Sequence, residues 1–213
     1  MSSKFTKRWK ERDSTGIRAI IKPSAPLRSK IEAAVNRIQA QIQYLDSALN
    51  KLTDRDKYIF SKVVDAYSRN QAQRANVFAN ELAELRKMAN FMMNAQLALE
   101  RIVLRLETVT QVGNVVVNLA PATEVLHNVR SGIAGILPNA ERELEQVGLM
   151  LNDIMIEAGQ STGIAPDFEV AGEDARRILS EATMVAEQRM KEKFPELPPL
   201  VQGEKSQGDF GYP

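Results

Sequence analysis

Apolar residues recur at alternating steps of four and three over residues 31–52, and this periodicity restricts the fold more than any other feature of the sequence. The seam consists of Ile31, Val35, Ile38, Ile42, Leu45, Leu49 and Leu52. Such alternation places these side chains on one side of an α-helix, as in a coiled coil. A lone helix cannot shield the stripe from water, so the sequence predicts a helix that packs along its length against a partner.

A second heptad stretch follows and supplies that partner. Its seam positions are Ile59, Val63, Ala66 and Asn70 and, after a shift in the heptad register, Leu85, Met88, Met92, Ala95, Leu99, Ile102, Leu106 and Val109. A short connection at Thr53 to Arg55 would make the two arms antiparallel neighbours, which predicts a long helical hairpin over residues 26–117. At 1.5 Å per residue, the first arm would span roughly 40 Å and the second about 90 Å.

These unequal arms would leave half of the second apolar stripe uncovered. Later segments of the chain, or another copy of it, would have to cover that half. The expected geometry therefore favours a protein that polymerises.

Composition favours an all-α fold. Aromatic residues make up 6% of the 213 residues, and alternating β-branched residues are almost absent. The chain has no cysteine, and no apolar signal segment follows its basic beginning. The longest uncharged run, residues 108–123, is too short and too polar to span a bilayer. We therefore expect a cytoplasmic protein.

Charge is divided between the two halves of the chain. Residues 1–110 contain 20 Lys and Arg against 11 Asp and Glu, a net charge of +9, whereas residues 111–213 contain 8 against 16, a net charge of −8. A basic half attracts polyanions such as nucleic acid or an anionic membrane, and an acidic half can compete for the same surface. The pattern predicts autoinhibition, although individual surface pairs are weak and screened by salt.

Residues 1–25 form the most basic segment and are expected to bind membranes. Phe5 and Trp9 are four residues apart, so on a helix they would share one face. The flanking cations are Lys7, Arg8, Lys10 and Arg12. Aromatic residues beside cations are typical of a short interfacial anchor. The alternative is a disordered basic tail whose tryptophan packs on the helical bundle.

A weak point is expected between the hairpin and the shorter helices that follow it. Gly113 lowers helix propensity and Pro121 interrupts the helical pattern, so residues 113–123 are interpreted as a hinge. An ordinary helix end would have the same sequence pattern. Short amphipathic helices are then expected within residues 123–158.

The C-terminal part of the chain is expected to be only loosely attached. Residues 159–172 are rich in Gly, Ser, Thr and Pro and indicate a flexible linker. Residues 173–194 predict a detached, acidic, amphipathic helix that can dock or release. Residues 195–213 form a tail with spaced prolines, which is either a pre-stiffened binding segment or a plain spacer.

No motif for catalysis, nucleotide binding or metal binding is present. The sequence lacks a P-loop, a dinucleotide-binding glycine motif, an HExxH pair and a nucleophile elbow. His127 is the only histidine, and without matching ligands it does not indicate a metal site. We therefore expect neither an enzyme nor a cofactor or small-molecule substrate. If the working cycle consumes energy, another protein hydrolyses the nucleotide.

The order of these segments resembles the ESCRT-III family, and specifically its archaeal cell-division members, the CdvB group. The resemblance covers nearly the whole chain, with residues 26–158 as the helical core. The sharpest element is the tail, where Phe194-Pro195, Leu197-Pro198 and Leu200 follow the spacing of the Leu-Pro motif by which the family binds the MIT domain of an AAA+ ATPase. Phe194 stands where the motif has Leu, and Val201 where it has a final Pro.

The resemblance implies monomers that open, bind the inner face of the cell membrane at the division site and polymerise, alone or with ESCRT-III paralogues, into curved filaments. The ATPase would then remodel these filaments during constriction and scission. The chain ends without the winged-helix domain of one archaeal member, so a shorter paralogue is expected. Two alternatives remain: a basic coiled-coil architectural protein for nucleic acid, although no nucleic-acid-binding module is recognisable, and a helical scaffold that does not polymerise.

Overall fold

The computed structural model describes residues 25–112, 115–163 and 165–195, and within these ranges the chain is helical apart from short connections. The helices are α1 (Ala25–Ser68), α2 (Ala72–Val112), α3 (Val115–Ile133), α4 (Pro138–Thr162) and α5 (Phe168–Lys193). The prediction of an all-α fold built on a helical hairpin is confirmed. In the part of the chain that the structure describes, no helix combines the length and hydropathy needed to cross a bilayer.

The hairpin consists of α1 and α2, which pack along each other in antiparallel directions. The heptad seam of α1 forms the contact, and its residues Ile31, Ile38, Leu45 and Leu49 are all buried. Their partners on α2 include Leu99, Ile102 and Leu106 in the same core. Burying one stripe on each helix is the outcome that the heptad period predicts.

The turn of the hairpin lies at residues 69–71, so the predicted turn at Thr53 to Arg55 is wrong. Asn70 has a φ of 55°, and the amide of Gln71 donates to the carbonyl of Ala66 at 2.9 Å. Asparagine tolerates this left-handed conformation better than most residues. Thr53 instead lies inside α1, where its hydroxyl donates to the carbonyl of Leu49 at 2.9 Å.

The two arms are consequently almost equal in length. Helix α1 has 44 residues and α2 has 41, which correspond to roughly 66 and 62 Å at 1.5 Å per residue. The prediction of unequal arms is therefore wrong, and the lengths of the arms give no support to polymerisation.

Two hydrophobic clusters divide the hairpin along its length. The main core joins α1 up to Leu49 and α2 from Ala89 with the three later helices. The second cluster belongs to the turn-proximal half of the hairpin, with Leu52, Phe60 and Phe78 packed at its edge, and its buried members are Ile59, Val63, Ala79, Leu82 and Leu85. Only two helices supply this smaller cluster.

Helix α3 begins before the predicted hinge ends. It runs from Val115 through Pro121 to Ile133 without a break, whereas the sequence predicted a new helix from Thr123. Pro121 is buried in α3, between its buried neighbours Ala120 and Ala122. We attribute the continuity to apolar packing, which offsets the backbone hydrogen bond that proline cannot donate.

Helices α4 and α5 are joined by a shorter connection than the sequence predicted. The expected linker spanned residues 159–172, but α4 continues to Thr162 and α5 already begins at Phe168. Gly163 ends α4 in the left-handed conformation, with a φ of 70°, and its amide donates to the carbonyl of Gly159. Helix α5 starts before the predicted Glu173 because Asp167 caps its N-terminus.

Candidate regulatory interface between the hairpin and the last helix

Helix α5 is defined at its start by a capping residue. The carboxylate of Asp167 accepts hydrogen bonds from the amides of Glu169 at 3.1 Å and Val170 at 3.2 Å. These amides have no acceptor within the helix, and a negative charge is favourable at a helix N-terminus. The cap therefore fixes where α5 leaves the connection and begins to follow the hairpin.

Small side chains line the face of α5 that contacts α2 and α3. The buried residues of α5 are Ala171, Ala175, Ile178, Ala182 and Ala186. Their spacing of three or four residues forms one stripe, and four alanines let the helix approach its partners closely. Of the two states predicted for this helix, docked or released, the structure shows the docked one, in which apolar burial holds α5.

Acidic residues of α5 pair with basic residues of α2. The carboxylate of Asp174 accepts from the Arg105 guanidinium at 2.7 Å, and Glu181 accepts from Arg101. The side chains of Arg105 and Asp174 are 22% and 25% exposed, whereas those of Arg101 and Glu181 are 40% and 38% exposed. The less exposed Arg105–Asp174 pair is less screened by solvent, so it contributes more to docking.

The last turn of α5 ends in a contact with the middle of the hairpin. Phe194 is 6% exposed, and its ring centroid lies 5.7 Å from the guanidinium carbon of Arg86. Arg86 also donates to the carbonyl of Pro195 at 2.8 Å. The guanidinium carbon also lies 5.9 Å from the ring centroid of Phe60. Arg86 thereby joins α1, α2 and the end of α5.

A buried carboxylate holds Arg86 in this orientation. Asp56 accepts from Nε of Arg86 at 2.6 Å and from Nη2 at 3.0 Å, a bidentate pair. Within the described residues, Asp56 is the only charged side chain that is buried, at 1% exposed. A planar guanidinium paired at two atoms has little freedom, which leaves Nη1 directed at Pro195.

The Asp56–Arg86 pair is a feature that the sequence did not predict. Asp56 directly follows the predicted turn at Thr53 to Arg55, and it lies four residues after Leu52 and three before Ile59, at a position of the apolar seam. A charge at such a position requires a buried partner, because an isolated buried carboxylate is strongly unfavourable. The signal was therefore present, but the sequence could not indicate which of many cations supplies the partner.

Several predicted site residues lie outside the described part of the chain. They are the membrane-binding candidates Phe5, Lys7, Arg8, Trp9, Lys10 and Arg12, the hinge candidate Gly113, and the tail residues Leu197, Pro198 and Leu200. Of the other candidates, Pro121 is buried in α3, and Phe194 and Pro195 contact Arg86. The structure thus brings the first two residues of the predicted tail motif onto the hairpin.

A basic and aromatic stripe runs along the exposed side of α1. Arg37, Tyr44, Lys51 and Tyr58 follow one another at steps of seven residues and are all exposed. Lys62 lies with its ammonium 5.3 Å from the ring centroid of Tyr58. Cations interleaved with aromatic rings form a surface suited to anionic and interfacial partners.

No catalytic or metal-binding constellation occurs in the described ranges. Among these residues, no group of three or more His, Asp or Glu side chains is placed to hold a metal ion. His127 lines a shallow groove between α3 and α4, beside Arg130 and Glu145. Arg130 pairs with Glu145 at 3.1 Å across the groove, so these charges stabilise helix packing.

These features define a class of protein: a long helical hairpin on which short helices pack and an acidic C-terminal helix folds back. Two proteins of Sulfolobus acidocaldarius are similar to the chain in sequence. "Cell division protein B1" is 38% identical over 208 residues, covering 97% of this chain and 96% of that protein. "Cell division protein B" is 33% identical over 162 residues, covering 76% of this chain and 62% of that protein.

The chain belongs to this family, the cell division protein B (CdvB) group of ESCRT-III proteins. The match to the first relative extends over nearly the entire length of both proteins. No family model matches the chain, and no solved structure matches it. The assignment therefore rests on these two relatives, of which the first is matched over nearly its full length, and the helical hairpin agrees with it.

Proposed function

We propose that the chain is a filament-forming subunit that polymerises on membranes and drives constriction or scission in archaeal cell division. The observation that carries this proposal is the 38% identity over 97% of the chain to a protein named for cell division. In this role the protein is a mechanical component and not an enzyme. Its partners are other copies of itself, ESCRT-III paralogues, an anionic membrane and an AAA+ ATPase with an MIT domain.

The docked helix α5 represents the closed form in this proposal. It places Asp174 and Glu181 on Arg105 and Arg101, so acidic groups neutralise cations of the hairpin. Release of α5 would uncover those cations together with the apolar surface under Ile178 and Ala182. The same movement would thus expose surfaces for lipid and for a second copy.

Membrane binding would begin with the basic residues of the N-terminal segment and of α1. Each cation held near an anionic surface contributes about 1 kcal/mol, and several together give reversible binding. Phe5 and Trp9 would add apolar contacts at the lipid interface. This places the protein peripherally on the inner face of the cell membrane, at the division site.

Electron microscopy after removal of the acidic helix tests polymerisation. A chain truncated after Gly163 lacks α5, so we expect more filaments and stronger sedimentation with anionic liposomes than for the full chain. Neutral liposomes are the control, because they retain apolar association but lack the charge attraction. Unchanged sedimentation would argue against autoinhibition, and amorphous aggregates without filaments would argue against polymerisation.

A salt-dependent gel shift of nucleic acid without liposome binding would favour the alternative of an architectural protein for nucleic acid.

Replacing Phe5 and Trp9 with alanine tests the membrane segment. We expect weaker co-sedimentation with anionic liposomes, because the apolar part of interfacial binding is lost while every cation remains. Phe168→Ala is the matched control, since Phe168 is an aromatic residue that is 72% exposed on α5. Full binding by the Phe5→Ala/Trp9→Ala variant would move the membrane site to the hairpin.

A further inference from the structure

Asp56 and Phe60 of α1 and Arg86 of α2 form a preorganised binding site, which we call the Arg86 socket. Its charged base is fixed by the bidentate pair at 2.6 and 3.0 Å, and the Arg86 side chain is only 16% exposed. Phe60 covers one side of the guanidinium. The socket lies where the main core and the smaller turn-proximal cluster meet.

The segment in the socket matches it in two ways. The ring of Phe194 stacks toward the guanidinium, which attracts the electron-rich face of an aromatic ring. The carbonyl of Pro195 accepts from Nη1, the group that Asp56 does not bind. Proline also forces the preceding residue out of helical geometry, and Phe194 is extended, with a φ of −120° and a ψ of 109°.

We propose that the Arg86 socket is a binding site for an aromatic–proline step, occupied here by Phe194-Pro195 of the same chain. Arginine is required because one guanidinium pairs with the carboxylate of Asp56, stacks on the ring of Phe194 and donates to the carbonyl of Pro195. A lysine ammonium keeps the charge but has neither a planar fork nor a stacking face. A tail with leucine at position 194 would lose the ring contact.

Any partner that binds the tail must compete with the socket for Phe194, an inference that rests on the proposed function. The predicted ATPase-binding motif begins with the residues that the socket holds. A partner that binds the complete motif must therefore first remove Phe194 from Arg86. Occupation of the socket by Phe194 and capture of the complete motif become mutually exclusive, so the socket sets how much of the protein the partner can bind.

Amide hydrogen exchange of the full chain tests the socket without lipid or partner. We expect Phe194→Ala to accelerate exchange in residues 186–193 by roughly tenfold or more, because the end of α5 loses its anchor. Phe168→Ala makes the same chemical change at an exposed position of α5 and should leave these residues at the wild-type rate. Arg86→Lys should accelerate exchange as Phe194→Ala does, and Arg69→Lys, at an exposed ion pair, should not.

The same measurement can overturn the proposal. Wild-type exchange at residues 186–193 in both Phe194→Ala and Arg86→Lys would show that the socket does not hold the tail. Phe60→Leu is a milder variant that removes a stacking ring and keeps apolar volume, so it decides the question if Arg86→Lys fails to fold. A labelled peptide of residues 190–201 should bind the Phe194→Ala chain more tightly than wild type, whose socket is occupied. A peptide carrying Phe194→Ala should not bind.

Affinity for an isolated MIT domain tests the competition. Arg86→Lys leaves the tail sequence intact, so any gain in affinity comes from release and not from new tail contacts. We expect roughly tenfold tighter binding than wild type, because the apparent affinity is reduced by the fraction of molecules whose tail is free. Equal affinity of Arg86→Lys, wild type and Arg69→Lys would overturn the competition. Absence of binding by every variant would instead refute the ATPase partner of the proposed function, while the exchange result still decides the socket.

Discussion

At the scale of single residues, the Asp56–Arg86 pair is the most consequential interaction of the hairpin. A buried carboxylate is tolerated only when its charge is compensated and its oxygens accept hydrogen bonds. Both oxygens of Asp56 accept from Arg86. The pair also fixes the register of α1 against α2, because a one-turn shift would separate the two charges in an apolar interface.

Replacing Asp56 with alanine should destabilise the fold by about 2–4 kcal/mol, since Arg86 would remain largely buried without its carboxylate. Chemical denaturation of the full chain measures this free energy. Asp54→Ala removes the same group two residues away, where the side chain is 80% exposed, and should cost less than about 0.5 kcal/mol. Similar losses for the two variants would show that the Asp56–Arg86 pair does not stabilise the hairpin.

A double replacement separates the charge from the packing. In Asp56→Leu/Arg86→Met no buried charge is left alone, so most of the stability lost in Asp56→Ala should return. The socket would nevertheless be absent, and α5 should still exchange rapidly at its end. The free energy of unfolding and the docking of the end of α5 are therefore expected to respond differently to the replacement of Asp56 and Arg86.

At the scale of helices, α5 depends on close approach through small side chains. Ala182 is 1% exposed, and replacing it with leucine would insert three additional carbon atoms into a filled contact. We expect a loss of about 1–3 kcal/mol in the docking of α5, measured by hydrogen exchange of residues 171–190. Thr183→Leu introduces the same side chain at the adjacent exposed position and should leave docking unchanged. Equal exchange in both variants would exclude tight packing at Ala182.

The helices themselves could be predicted from the sequence because the heptad period is a local signal. The turn could not, because Thr53 and Asp54 resemble turn residues, whereas the true turn at Asn70 contains neither glycine nor proline. Asp56 lies inside the continuous α1, and its partner Arg86 is 30 residues away in the sequence. Propensity at a few residues is a weak guide when tertiary contacts favour the alternative.

The docking of α5 was likewise only partly predictable. The charge division indicated that an acidic helix could cover a basic surface, and the pairs of Arg101 and Arg105 with α5 agree with that expectation. The sequence did not show that Phe194 would be buried, because its proline context indicated an exposed binding segment. Which of two competing surfaces receives a residue depends on contacts between distant parts of the chain.

At the scale of the whole molecule, the separation of charge links folding back to binding. The basic half carries +9 and the acidic half −8, so in the proposed function a closed form would neutralise part of its own charge and an open form would not. Salt weakens the exposed pairs of α5, but apolar burial is not screened. Higher ionic strength should therefore shift the balance toward the open form, but α5 should not detach completely.

Charge reversal across the Arg101–Glu181 pair tests this balance in the full chain. Glu181→Arg places two cations together, so α5 should open more often and binding to anionic liposomes should rise about two- to fivefold, since exposed pairs contribute about 0.2–1 kcal/mol. Glu187→Arg makes the same change in net charge at an exposed position of α5 and controls for simple attraction. Arg101→Glu/Glu181→Arg restores the pair and the wild-type net charge, so binding should return toward wild type. Co-sedimentation at low and moderate salt measures all four proteins, and the differences should shrink as salt rises.

If Glu187→Arg increases binding as much as Glu181→Arg, net charge alone would account for the gain. If the double variant binds like Glu181→Arg, the pair does not control opening, and closure would depend on the alanine stripe and the Arg86 socket instead.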